Sequence, residues 1–292
     1  MISESSLTCE SLLNQAAARI KGDSPRLDAE LLLSYVTGLG RTSFRAWPER
    51  QVLEDQAQQF FELVAERVSG QPIAYLLGQQ EFWSLPLIVS ASTLIPRPDT
   101  ECLVEAALSL ELPEHALVLD LGTGTGAIAL ALASEHPNWQ IWASDRITDA
   151  VELARGNSTA LGLPITVVQS HWFDQLPEAQ FDLLISNPPY IAASDHHLGE
   201  GDVRFEPSSA LVAGYDGLDD IRLLVSQGQN WLNQGGWLLL EHGYDQGEAV
   251  RHLFAQTGWH KIETRKDYGG NERMTLARKP ISDESARKAH AQ

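Results

Sequence analysis

Three glycines at alternate positions, in Gly122-Thr123-Gly124-Thr125-Gly126, follow the apolar run 116–120 and precede the alanine-rich stretch 127–134. A short apolar run, a glycine loop and a helical stretch in that order call for a buried strand turning sharply into a helix. With no Cβ at those positions a ligand can lie against the backbone. The first N–H groups of the helix then aim at it. Asp120 stands at the strand end, where a carboxylate can face a cation or hold the loop itself. Alone, such a loop is compatible with S-adenosylmethionine, a nicotinamide dinucleotide or plain tight packing.

The same alternation continues downstream. Apolar runs at 141–145, 165–168, 182–185 and 236–241 read as strands, with a helix over 149–161. Asp145 ends the second of these strands, where an acid can take both ribose hydroxyls of a nucleoside. Runs at 261–265 and 273–277 are separated only by the turn Tyr268-Gly269-Gly270-Asn271, so they pair antiparallel. The rest predicts a mainly parallel, doubly wound α/β sheet.

The first seventy or so residues are different. Leu12, Leu13, Ala16, Ala17 and Ile20 share one helical face, as do Leu53, Ala57, Phe60, Phe61, Val64 and Val68. A third short helix spans 28–35. Gly70 and Pro72 break the rhythm. The expected organisation is a helical domain over 1–78, a hairpin or linker over 79–98, an α/β domain over 99–280 and a fraying tail over 281–292. Asp99 or Thr100 is expected to cap the helix after Pro96-Arg97-Pro98.

The tetrapeptide Asn187-Pro188-Pro189-Tyr190 leaves the apolar run ending at Ser186. The Asn187 oxygen and the Pro188 carbonyl are two acceptors that can take both hydrogens of a planar NH2 group. Tyr190 offers a flat surface for it. An amide nitrogen is a poor nucleophile, so it must be held in line with its electrophile. The glycine loop then holds that electrophile, which favours alkylation by the sulfonium of S-adenosylmethionine. A strand ended by prolines and followed by a surface loop is the plainer alternative.

Bulk properties exclude other classes. The formal charge of -18 opposes non-specific binding to nucleic acid. Cys9 and Cys102 form no Cys-x-x-Cys spacing, which fits a reducing cytoplasm. Residues 1–6 lack a basic-then-apolar pattern, so no signal peptide is expected. No apolar run reaches membrane-spanning length, so no membrane partner is expected. His196 and His197 have no evident acidic or thiol partner at ligand spacing, so no metal is expected.

The chain resembles the HemK/PrmC-type protein-(glutamine-N5) methyltransferases over residues 60–279. The residues carrying the likeness include Gly70-Gln71-Pro72-Ile73, Leu94-Ile95-Pro96-Arg97-Pro98-Asp99-Thr100-Glu101, the glycine loop, Asn187-Pro188-Pro189-Tyr190 and Arg204-Phe205-Glu206-Pro207. The resemblance implies a seven-stranded, Rossmann-like class I methyltransferase sheet behind a small N-terminal helical domain. It implies that Gly122, Thr123, Gly124, Thr125, Gly126 and Asp145 hold S-adenosylmethionine, with Trp172 on the adenine side and Asn187 near the methyl group. Asn187, Pro188 and Tyr190 are the catalytic candidates. Pro189 and Arg97 join them as candidate substrate contacts, with Arg97 bracing the loop over the site or forming a plain surface turn. Arg204 and Glu206 are expected to pair with each other. The implied substrate is the glutamine of the Gly-Gly-Gln loop in bacterial class 1 release factors, the implied by-product S-adenosylhomocysteine, and a monomer is expected. Alternatives are an N6-adenine methyltransferase acting on DNA or RNA and a non-catalytic scaffold of the same fold.

Overall fold

The computed structural model of the chain describes residues 7–281. The tail expected over 281–292 lies outside them beyond Ile281. The described residues divide into two compact units.

The first unit is residues 7–79 with 200–205. It contains α1 (Cys9–Ala17), α2 (Pro25–Thr37), α3 (Arg41–Ala46), α4 (Glu54–Ser69) and α5 (Ile73–Leu77). Thr8 caps α1 by accepting the Ser11 N–H at 3.3 Å. Leu12, Leu13, Leu32, Leu33, Phe44, Phe60 and Val64 are buried together. The sequence periodicity misses α3 and α5, which are too short to show a repeating face. It also overextends α4: Leu53, the residue before the helix, is 65% exposed, and Val68 in the last turn is 41% exposed. Arg67 donates to Asp28 at 2.7 Å and to Asp202 at 2.8 Å. That second contact ties in the segment 200–205, an addition that nothing in the sequence announces.

The second unit begins at Gln80 and takes in the rest of the hairpin β1 (Gln79–Phe82) and β2 (Leu85–Ile88), then α6 (Pro98–Leu108). Pro98 takes the first helical position after Arg97, which makes no side-chain cap. The cap expected from Asp99 or Thr100 is therefore corrected. Both lie inside the first turn, because proline starts the helix one position earlier, and Thr100 is left to bond elsewhere.

There follow β3 (Leu117–Leu121), α7 (Ala127–Glu135), β4 (Gln140–Asp145), α8 (Thr148–Leu161), β5 (Thr166–Gln169), β6 (Phe181–Ser186), α9 (Asp219–Gln227), β7 (Leu232–Glu241), α10 (Gly247–Gln256), β8 (His260–Lys266) and β9 (Glu272–Arg278). The seven-stranded sheet runs β5-β4-β3-β6-β7-β9-β8. The first five strands are parallel, and β9 is antiparallel to both of its neighbours. Both faces are covered, as a parallel sheet requires. Leu103, Leu130, Ile141 and Leu183 pack on one side, and Leu119, Leu184, Leu224 and Phe254 on the other. Leu183 and Leu184 face opposite ways, as strand alternation demands.

Candidate active site

Strands β3 and β6 are neighbours at the sheet centre, with Asp120 opposite Ile185. Strand order reverses there, the place where open α/β sheets form a crevice beyond the carboxyl ends of their strands. The Ser186 hydroxyl donates to Leu121 O at 2.6 Å and pins the two ends together. The glycine loop leaves one strand and the tetrapeptide leaves the other into the same space. The cleft there is open to solvent and holds about 950 Å³ counted to its open mouth.

Gly122, Thr123, Gly124, Thr125 and Asp145 line this cleft, and so do Trp172, Asn187, Pro189 and Arg97. Gly126, Pro188 and Tyr190 lie beside it rather than on its lining. Gly122 and Gly124 take φ of +72° and +54°, which an L side chain rarely adopts. A Cβ on Gly122 would come within 3.2 Å of the Trp172 ring. The Gly124 N–H donates to Asp145 Oδ2 at 3.0 Å, and the Ile147 N–H to Oδ1 at 2.9 Å. One carboxylate thus anchors the loop and still has unused lone pairs.

Asp120 is fully buried under the loop. Its Oδ2 accepts from the Thr123 hydroxyl at 2.5 Å, while Oδ1 has no hydrogen-bond partner among the described residues. Burial pushes its pKa up to about 7, aided by the negative Asp145 and opposed by the Thr123 hydroxyl and, more remotely, the Ala129 N–H. A carboxyl raised in the folded chain adds stability in full below its unfolded value. That stability is lost as pH rises through the folded value. Asp120→Asn should therefore raise the unfolding free energy by roughly 2–4 kcal/mol at pH 8 and by much less near pH 4. Thermal unfolding of the ligand-free protein at both pH values checks this.

Trp172 has φ +49°, an uncommon conformation for a bulky residue. Its carbonyl accepts from the Ser170 hydroxyl at 2.9 Å, and its indole N–H donates to Asp220 at 3.0 Å. Such over-determined strain gathers at ligand sites. Arg97 is no plain surface turn. It forms an ion pair with Glu206, whose side chain is buried and whose Oε1 also accepts the Ile95 N–H at 2.9 Å. The expected Arg204–Glu206 pair is a correction: Arg204 instead donates to Ser69 O at 3.3 Å and lies over the Phe205 ring. The expectation for the histidines also needs amending. Asp195 accepts from His197 Nδ1 at 2.7 Å, and His196 Nδ1 is 3.7 Å from it. Three mostly exposed neighbours in sequence do not by themselves build a metal centre.

Asn187 donates through Nδ2 to Thr100 Oγ1 at 3.1 Å. Tyr190 donates through its hydroxyl to Glu241 Oε1 at 3.3 Å, and its carbonyl accepts from Gln246 at 3.0 Å. Gly217, at φ +75°, must be glycine, since a Cβ there would lie 2.2 Å from the Tyr190 carbonyl oxygen. Burial and the Glu241 charge push the Tyr190 phenol well above its ordinary value, so it stays a donor. Asp220 and Glu241 escape sequence reasoning, and Thr100 and Glu206 are read there in other roles than the ones they take. For Glu241 a signal exists: a carboxylate closing the all-leucine run 238–240 is out of place in a buried strand.

The description "PrmC N-terminal domain" matches residues 11–78, and "Methyltransferase small domain" matches 98–201. The release factor glutamine methyltransferase of Escherichia coli strain K12 is 55% identical over 269 residues, covering 91% of this chain and 97% of the relative. The chain belongs to the release factor glutamine methyltransferase family. The member from Pseudomonas aeruginosa is 57% identical over 87% of this chain and 93% of its own length. That from Salmonella typhimurium is 54% identical over 91% and 97%. A Pyrococcus furiosus methyltransferase of known structure superposes with a TM-score of 0.53 at 18% identity, over 74% of this chain and 98% of its own, which shows a shared fold. Among the described residues no helix is long and apolar enough to cross a membrane.

Proposed function

We propose that this chain transfers a methyl group from S-adenosylmethionine to the side-chain amide nitrogen of a glutamine in a peptide chain release factor, in the Gly-Gly-Gln loop of the bacterial class 1 factors. The observation carrying this reading is the 55% identity to a release factor glutamine methyltransferase along nearly its whole length. The adenine and scaffold alternatives gain no support from the relatives.

The residues present fit the donor. The cradle of Gly122, Thr123, Gly124 and Thr125 lets a ligand approach the backbone, while Gly126 lets the loop pack closely on Leu130 and Ala154. Asp145 has lone pairs for ribose hydroxyls, and the Trp172 ring gives a flat wall for a base. Asp120 Oδ1, without a hydrogen-bond partner among the described residues, lies beneath the loop and favours a cation above it. When bound, S-adenosylmethionine supplies an electrophilic methyl group on a cationic sulfur.

Asn187 Oδ1 and the Pro188 carbonyl accept the two hydrogens of the glutamine NH2 and fix its plane. These dipoles also stabilise the positive charge that grows on nitrogen. Pro189 and Arg97 shape the substrate side, and Tyr190 braces the tetrapeptide from beside the cleft. Orientation of this kind supplies several kcal/mol, up to roughly 7–11 in the best model systems. No side chain needs to remove a proton before attack, because the nitrogen becomes strongly acidic only as the new bond forms. A cytoplasmic, monomeric enzyme is the simplest setting.

Mass spectrometry of purified release factor after incubation with the enzyme and S-adenosylmethionine tests the reading. One added methyl on the glutamine is expected, with none on a Gln→Ala factor. An unmodified wild-type factor under conditions where the donor binds would refute it.

A further inference from the structure

The indole that walls one end of the cleft is held from three sides. Its ring lies against Gly122, where a Cβ would come within 3.2 Å of it. The Trp172 carbonyl accepts from the Ser170 hydroxyl, and the indole N–H ends on Asp220 Oδ1 at 3.0 Å. Asp220 stands in the first turn of α9 and is itself part of the cleft lining. A carboxylate has room for about four hydrogen bonds. Among the described residues this one accepts only the indole proton, and no hydrogen bond or ion pair reaches its Oδ2.

Other polar groups of this corner are already committed. The Ser170 N–H donates to Asp145 O and the His171 N–H to Gln175 Oε1, both at 2.9 Å. The His171 ring turns to Asp174, and the Arg146 guanidinium donates to the Ser209 carbonyl at 3.3 Å. A flat aromatic wall is thus edged by an acceptor with unused capacity.

The bond to Trp172 fixes what Asp220 can show a ligand. An indole N–H only donates, so an oxygen must face it. That leaves Oδ2, a second acceptor, as the atom available to the cleft. Adenine and hypoxanthine share one flat shape and differ in an edge group, an exocyclic amine that donates against a carbonyl oxygen that accepts. Stacking on an indole hardly separates them. A carboxylate at the rim of the wall does, because a site built for hydrogen bonding rejects the wrong polarity strongly.

We propose that Asp220 makes the donor site specific for an adenine base, with Oδ2 accepting from the exocyclic amine, and that Trp172 sets this polarity by holding Oδ1. The inference rests on the proposed S-adenosylmethionine site with its base against Trp172. Asp220→Asn is then a change of polarity at constant shape. The indole N–H keeps its claim on the side-chain oxygen, so the new NH2 takes the place of Oδ2. The variant offers a donor where the wild type offers an acceptor.

The test is calorimetric titration of the full chain at pH 8 with S-adenosylhomocysteine and with its deaminated counterpart, S-inosylhomocysteine. No turnover is involved. Wild type should bind the adenine compound roughly 10–100-fold more tightly. In Asp220→Asn the preference should vanish or invert, with the inosine compound binding more tightly than it does to wild type. In Asp220→Ala the two affinities should come within about threefold of each other. Thermal unfolding shows that each variant is folded, and either folded variant suffices for the comparison. A residue that merely held the indole in place would, when replaced, weaken both compounds alike and leave their ratio unchanged. The wild-type ratio kept in either folded variant, or no preference in wild type, overturns the inference alone. If wild type binds neither compound, the proposed donor site fails and this inference falls with it.

Discussion

Alanine at Asn187 is expected to lower methyl transfer by roughly 10²–10³-fold while leaving donor affinity within about twofold. The side chain reaches the cleft from β6, held by Thr100. The groups that fit the donor stand instead on the glycine loop, β4 and the turn carrying Trp172. Truncation removes an acceptor from a nitrogen whose lone pair is tied up in its own carbonyl. The loss should therefore appear in the chemical step. Single-turnover transfer and calorimetric donor titration on the same variant separate the two quantities. A drop in donor affinity as large as the drop in rate would move Asn187 from substrate grip to cofactor site.

The complementary experiment is Asp145→Ala, for which donor binding should weaken by about 100-fold or more, since hydrogen bonds to a charged group contribute ~1.5–3 kcal/mol each. The substitution takes away the proposed ribose acceptor. It also strands the Gly124 and Ile147 N–H groups that now end on the carboxylate. Asp145→Asn, which keeps one acceptor oxygen, should fall between the two. Rates at saturating donor should recover much of the loss. Unchanged donor affinity in the alanine variant would remove Asp145 from the binding site.

Much of this architecture can be read from the residues. The strand, loop and helix around Gly122 announce themselves because glycine spacing and apolar runs are local signals. The juxtaposition of loop and tetrapeptide follows once the sheet is taken as doubly wound. What stays hidden is long-range pairing. Thr100 meets Asn187 across 87 residues, and Arg97 meets Glu206 across 109. No local spacing encodes either contact. Arg204 and Glu206 stand two residues apart and end on different partners, Ser69 and Arg97. At Leu53 and Val68 the periodicity continues past the point where the neighbouring helices stop covering the face.

The two carboxylate partners of Arg67 set a timetable for the growing polypeptide. Asp28 is already made when the arginine emerges from the ribosome, whereas Asp202 follows it by 135 residues. At roughly 5–20 residues per second, the guanidinium waits on the order of ten seconds for its second carboxylate. During translation the nascent helical bundle must therefore do without the Asp202 contact and rest on its apolar interior, the Asp28 contact and the ion pairs that Arg26 and Arg41 make with Glu10 and Glu30.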